Sequence, residues 1–161
     1  MDTVPEVGVL TTKSIGPEPR LGYREPILAQ YKPGSFINAV GLTNPGAKRS
    51  AELMATLRVP PDKFLLISIF GGSVEEYVSV ARELAPFADG LELNLSCPHA
   101  KGYGMDMGGD PALVREIVAK VKAAVNIPVI PKLSPNVANI EEIARAAVAG
   151  GADAFCAINT V

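Results

Sequence analysis

Residues 91–104, LELNLSCPHAKGYG, bring a carboxylate, a carboxamide, a hydroxyl, a thiol and an imidazole together in Glu92, Asn94, Ser96, Cys97 and His99. Glu92, Asn94 and Ser96 recur at every second place, so an extended chain turns them to one face and Leu91, Leu93 and Leu95 to the other. Cys97 follows at the strand end, before Pro98 and a glycine-rich loop. A free cysteine is usually an inert buried thiol. A lone cysteine at an accessible strand end is instead a candidate for proton transfer or nucleophilic work. Its ordinary pKa of ~8.5 means that it needs help to take a proton near neutral pH. A nearby imidazolium stabilises a thiolate, which gives His99 a possible role, although a lone loop histidine is more often simply solvated. Cys156, in AFCAINT, alternates away from Asn159 and reads as a packing residue. Two cysteines so placed form neither a disulfide framework nor a metal-spaced cluster.

Other polar residues stand at the ends of apolar runs. Lys13 closes VGVLTTK, Lys132 lies near the end of PVIPKL, and Asn159 and Thr160 end ADAFCAINT. Strand-end lysines commonly snorkel to solvent. Two of them beside an otherwise nearly neutral cluster favour an anionic cofactor or intermediate. Asparagines such as Asn38 and Asn94 often bond their own backbone. A carboxamide also offers a donor and an acceptor together, which suits an imide edge.

These residues need a scaffold that gathers strand ends. Five apolar segments read as strands: 7–13, 64–70, 91–96, 128–133 and 152–160. Ser73 with Glu76 predicts a capping box, Asp110 with Pro111 a helix start, and Asn139 a third cap before a stripe of Ile140, Ile143, Ala144 and Ala147. Val114, Ile117, Val118 and Val121 make the stripe of the second helix. Strand–helix alternation predicts right-handed crossovers and a parallel sheet. A doubly wound sheet buries apolar residues on both faces, whereas LELNLS is polar on one, as inside a barrel near its mouth. The expected architecture is therefore α/β, an incomplete (β/α)8 TIM-type barrel with five strands where closure takes eight and ~250 residues. Residues 1–161 read as a single partial domain. Segment 14–44, rich in Pro and Gly, reads as a long loop with a hairpin around PILAQY, and loops of that length are commonly functional. Gly102, Gly104, Gly108 and Gly109 suggest a lid after the catalytic strand.

Composition narrows the function classes. The chain is 48% hydrophobic and 20% charged, as a folded globular protein is, and its net charge of −2 offers no footprint for nucleic acid or an anionic membrane. No run approaches the ~18 apolar residues that span a bilayer. The acidic start, MDTVPEVG, shows no export leader. The expectation is a cytoplasmic protein.

The motifs NLSCPHAKGYGMDMGGDP, NAVGLTNPG (38–46), TTKS (11–14), PKLSPN (131–136) and INT (158–160) resemble, in order and spacing, the dihydroorotate dehydrogenase family of FMN enzymes. The resemblance runs from about residue 7 to the last residue. A cysteine at position 97 implies class 1, the soluble branch; the membrane-associated class 2 has serine there. It implies that Cys97 is the base removing a proton from C5 of dihydroorotate while hydride leaves C6 for the flavin. It also implies substrate contacts at Lys13, Asn38, Val40, Gly41, Leu42, Asn94, His99, Asn159 and Thr160, and FMN contacts at Lys13, Ser14, Asn94 and Lys132. Lys132 would face the flavin N1–C2 carbonyl side. The complete enzyme would be a homodimer, joined in some members by an iron-sulfur flavoprotein electron-transfer subunit.

The family's first strand and its last two, with the glycine loops for the FMN phosphate, are expected outside these residues, so the chain reads as a fragment or as one completed by another chain. His99 departs from the family, whose best-known members have asparagine after SCP. NLSCPH, GGDPALVREI and GGADAFCAINTV resemble the FMN domain of dihydropyrimidine dehydrogenase, while NAVGLTNPG favours dihydroorotate dehydrogenase. Reduction of uracil or thymine is the alternative chemistry. A non-catalytic half-barrel that packs against a partner is the alternative of another class, because open sheet edges favour association.

Overall fold

A computed structural model describes residues 4–96 and 105–159. In chain order, β1 (Val9–Thr11) precedes a hairpin of β2 (Leu28–Lys32) and β3 (Ser35–Asn38), then α1 (Ala47–Met54), β4 (Phe64–Ile69), α2 (Val74–Leu84) and β5 (Gly90–Asn94). Next come α3 (Met105–Gly108), α4 (Pro111–Ala124), β6 (Val129–Leu133), α5 (Ile140–Ala149) and β7 (Cys156–Ala157). Five strands form one sheet in the order β1-β4-β5-β6-β7, every neighbouring pair parallel. Each crossover carries a helix. This is the incomplete TIM-type barrel expected from the strand–helix rhythm.

The helices start where side chains can satisfy their free N–H groups. Ser73 Oγ accepts from Glu76 N at 3.2 Å, and Glu76 Oε2 returns to Gly72 N at 2.7 Å, one residue earlier than a standard capping box. Asp110 Oδ1 caps α4 through Ala112 N (2.8 Å) and Leu113 N (3.4 Å). Asn139 Oδ1 caps α5 through Glu141 N (3.1 Å) and Glu142 N (3.3 Å). No such signal announces α1, which begins after Gly46 at φ 83° without a side-chain cap.

Period two sorts the sheet. Leu65, Ile67, Ile69, Leu91, Leu93 and Leu95 join one buried cluster with Tyr77, Val80, Leu84, Val114, Ile117, Val118 and Val121 of the helices. Each full burial of such a side chain stabilises the fold by roughly 1.5–3 kcal/mol. The opposite face of the same strands carries Ser68, Glu92 and Asn94, all buried. Ile140 leaves the expected stripe: it is 40% exposed, while Ile143 and Ala147 of the same helix are buried. Strand β7 is two residues long, much shorter than the apolar run 152–160, because the chain leaves the ladder after Ala157.

Two aspartates secure the N-terminal edge of the sheet. Asp89 Oδ2 accepts from Leu65 N at 2.7 Å, and Asp153 Oδ2 accepts from Val129 N at 2.7 Å. Asp153 also pairs with Lys122 Nζ at 2.8 Å. The Lys122 ammonium foremost, with the Val129 N–H, holds the Asp153 carboxyl below its ordinary value of 3.8, against an opposing effect of burial. A carboxyl depressed in the folded state adds stability above its unfolded pKa and loses it as pH falls through the folded value. Asp153→Asn keeps an acceptor for Val129 but loses the ion pair. At pH 7 it should cost roughly 0.2–1 kcal/mol, the range of a solvent-screened pair. Urea midpoints should show that gap closing below about pH 4; a gap as wide at pH 3 as at pH 7 would contradict the pairing.

The hairpin stands apart from the barrel sheet. Its strands pair antiparallel, with a register shift between Gln30 and Lys32, and Leu28, Tyr31, Phe36 and Ile37 are each more than half exposed. Among the described residues no helix is long and apolar enough to cross a membrane.

Candidate functional site

The polar face of the sheet is a continuous hydrogen-bonded row. Ser68 and Glu92 lie opposite each other across β4 and β5, and Ser68 Oγ donates to Glu92 Oε1 at 2.8 Å. Ser14, in the segment after β1, has its Oγ 2.9 Å from Ser68 Oγ. Asn94 Nδ2 donates to Ser14 Oγ at 2.9 Å. Asn94 Oδ1 accepts from both the backbone N–H and the hydroxyl of Ser96, each at 3.2 Å. Asn159 Nδ2 completes the row on Ser96 O (2.9 Å) and Ser96 Oγ (3.2 Å). Buried polar atoms need such partners, since an unmatched one costs about 1–3 kcal/mol.

The row is held from behind as well. Tyr77, fully buried on α2, donates its hydroxyl to the Asn94 carbonyl at 2.9 Å. Thr12 Oγ1 accepts from Ser68 N at 3.1 Å, and Ile15 N donates to Ser68 O at 2.9 Å. The segment after β1 is thereby tied to β4 on both sides of Ser14.

Lys132 lies between Asn94 and Cys156 in the sheet register and is half-buried. Cys156 is on the same inner face, next to Glu92. Burial foremost, then the bond and charge of Glu92, push its thiol pKa up, with Lys132 acting partly against them. These effects favour the protonated thiol. Strict alternation would turn Cys156 away from Asn159, but β7 ends at Ala157, so period two does not reach residue 159.

The remaining expected residues divide. Lys13 is exposed beside Ser14. Asn38 is exposed at the end of β3, and no hydrogen bond between described residues joins it to the row. Val40 is half-buried and its carbonyl accepts from Tyr23 N at 3.0 Å. Gly41 (φ 81°) packs so closely on Tyr23 that a Cβ would lie 2.9 Å from its ring. Leu42 is buried with φ 56°. That bend is held by Asn44, whose Oδ1 accepts from Gly16 N (3.2 Å) and Gly46 N (2.8 Å) while its Nδ2 donates to Leu42 O (2.8 Å). Cys97, His99 and Thr160 lie outside the described residues.

Sequence reasoning missed Ser68, Tyr77 and Asn44. Ser68 had a signal: it is the single polar residue of FLLISIF. Tyr77 had none, because a tyrosine on an apolar helix stripe reads as core.

Chemically, the described site offers an ammonium at Lys132, a carboxamide N–H at Asn94 and a hydroxyl oxygen at Ser14. A planar group with carbonyl oxygens or partial negative charge fits this set of mostly donors. No group of three or more His, Cys, Asp or Glu among the described residues could hold a metal ion.

The model of the family described as dihydroorotate dehydrogenase matches residues 3–161. The catalytic subunit of dihydroorotate dehydrogenase B (NAD(+)) from Pyrococcus horikoshii is 50% identical over 154 residues, covering 96% of this chain and 50% of the relative. Its namesake from Methanocella arvoryzae is 50% identical over 157 residues, with the same coverage. The chain thus spans about half the length of the curated relatives it matches. A crystal structure of ligand-free dihydroorotate dehydrogenase from Eimeria tenella superposes with a TM-score of 0.75 at 18% identity, covering 95% of this chain and 52% of that one. At that identity the likeness is one of fold.

Proposed function

The chain belongs to the dihydroorotate dehydrogenase family, and we propose that it forms the catalytic half-barrel of an FMN oxidoreductase that converts dihydroorotate to orotate in pyrimidine biosynthesis. One observation carries the reading: Ser14, Ser68, Glu92, Asn94, Ser96 and Asn159 meet in one row along the inner face of the sheet. Barrel enzymes build their sites at the C-terminal ends of parallel strands. In this reading residues 1–161 are one partial barrel domain.

Asn94, Lys132, Ser14 and Lys13 would hold the FMN ring, which supplies, when bound, the two-electron acceptor for the hydride that leaves C6. Lys132 would place positive charge beside the N1–C2 carbonyl side, where a preorganised cation counts for most. Cys97 would take the proton from C5, so that the C5–C6 double bond forms as both hydrogens depart. Asn38, Asn94, Asn159 and Thr160, with the bend at Val40–Leu42 and His99, would orient the pyrimidine. The relatives are named as NAD(+)-type catalytic subunits, which supports a partner subunit, an iron-sulfur flavoprotein passing electrons onward, joined to a homodimer.

The test uses the complete protein, purified and examined anaerobically. One bound flavin per chain, bleached on mixing with dihydroorotate as orotate appears, is the expected result. Bleaching by dihydrouracil with dihydroorotate inert would replace the reading with the uracil-type chemistry suggested by His99. A protein without flavin that cannot be reconstituted with FMN would point to the non-catalytic alternative.

A further inference from the structure

We propose that Glu92 is a positioning residue that, together with the Ser96 backbone N–H at the far end, locks the hydrogen-bond polarity of the site, acting on Asn94 through Ser68 and Ser14. The inference deepens the proposed reading and rests on it only for the identity of the ligand. Its basis is the order of donors and acceptors along the row. Ser68 Oγ gives its single hydrogen to Glu92 Oε1. Its contact with Ser14 Oγ at 2.9 Å must then be an acceptance, so Ser14 gives its own hydrogen to Ser68. Ser14 can therefore only accept from Asn94, and the carboxamide has to turn Nδ2 toward it, at 2.9 Å. The far end makes the same demand independently. The Ser96 backbone N–H can only donate, and it meets Asn94 Oδ1 together with the Ser96 hydroxyl.

The chain of bonds thus runs one way between a fixed acceptor and a fixed donor. A hydroxyl or an amide takes either direction when left alone, and its orientation is decided by the partners at the ends. Reversal from the Glu92 end would aim Ser14 O–H at Asn94 and press Nδ2 against the Ser96 N–H, donor on donor. The consequence for recognition is specific. Asn94 Oδ1 already accepts two hydrogen bonds, so the carboxamide has only an N–H left to offer. Ser14, its hydrogen spent, can only accept. With the Lys132 ammonium alongside, the Asn94 N–H selects for a carbonyl oxygen and against an amino group at its own place, while Ser14 can meet only a donor. The groups facing Glu92 are Ser68, the Cys156 thiol and, across it, Lys132.

The experiment follows the Asn94 side-chain amide of the isotope-labelled complete protein by NMR, after removal of any bound flavin and with no pyrimidine added. In the wild type its Ser14-bonded proton should exchange slowly with solvent. Glu92→Leu, close in volume but without an acceptor, should speed that exchange roughly two- to tenfold, the equilibrium weight of one neutral hydrogen bond. Ser68→Ala, which cuts the middle link and hardly alters packing, should do the same and keeps the test decisive if the leucine variant does not fold. Glu92→Gln still presents a carbonyl oxygen to Ser68 and should restore wild-type exchange, a rescue that a purely packing role would not produce. Wild-type exchange in Ser68→Ala, or a glutamine variant as fast as the leucine one, overturns the proposal. Failure here leaves the dihydroorotate reaction standing, and failure of the flavin test above leaves this row of bonds standing.

Discussion

Replacing Cys97 with alanine in the complete protein is expected to slow flavin reduction by dihydroorotate about 10²–10⁴-fold, the contribution of a positioned general base, while flavin content stays unchanged. The expectation rests on the proposed function, in which the family resemblance makes Cys97 the base. Cys97 is the next residue in sequence after Ser96, whose hydroxyl and backbone N–H are bonded to Asn94. The other thiol is disfavoured as a base: burial and Glu92 push the Cys156 pKa up on the inner face. Cys97→Ser should recover activity only as pH rises, because a hydroxyl is far harder to ionise than a thiol. Stopped-flow reduction measured across pH decides the matter. Wild-type rates in both variants would remove Cys97 from the mechanism.

Gly108→Ala is expected to be the most damaging change outside the reacting residues. A Cβ at Gly108 would overlap the Leu95 carbonyl oxygen and come within 2.9 Å of both Leu95 C and Cβ. Carbonyl oxygen and carbon belong to the backbone at the end of a central strand, so they cannot swing aside as a side-chain tip does. Helix α3, which follows Cys97 and His99 in sequence, must back away instead. Overpacking of this kind costs about 1–3 kcal/mol. A misplacement of ~1 Å at reacting groups can cost about 10²-fold in rate. A lowered urea midpoint and a kcat reduced on that scale in the complete protein are the expected pair of results. Wild-type values for both would show that α3 has room to spare.

The barrel was legible because its cues are local and repeated. Ser73, Asp110 and Asn139 each announce a helix by a bond that the structure contains. The polar face of LELNLS foretold an inner wall because period two is a property of the strand itself. What was not legible depends on neighbours far away in sequence. Ser68 becomes important through Glu92, 24 residues later, and Ser14 through Asn94, 80 residues later; no spacing rule joins such partners. Helix α1 escaped notice because its start lacks a capping side chain. Cys156 was turned the wrong way because a strand was assumed to continue where it stops. The motif resemblance supplied Asn38 and the bend at residues 40–42, whose sequence offers only glycine and apolar side chains, and there the backbone itself makes the shape.

The aspartates at the foot of the sheet act as a ruler. Asp89 grips Leu65, and three residues above each of them stand Glu92 and Ser68. Asp153 grips Val129, and three residues above each of those stand Cys156 and Lys132. Three strand residues span roughly 10 Å, so each facing pair is levelled by a grip at the opposite end of the sheet, well away from any ligand. A slip of one residue at the floor would turn the measured face toward the helices and the leucines toward the mouth. The height and facing of the chemistry are thus calibrated from below, which leaves the loops above free to change length or sequence without disturbing where the strands deliver their polar groups.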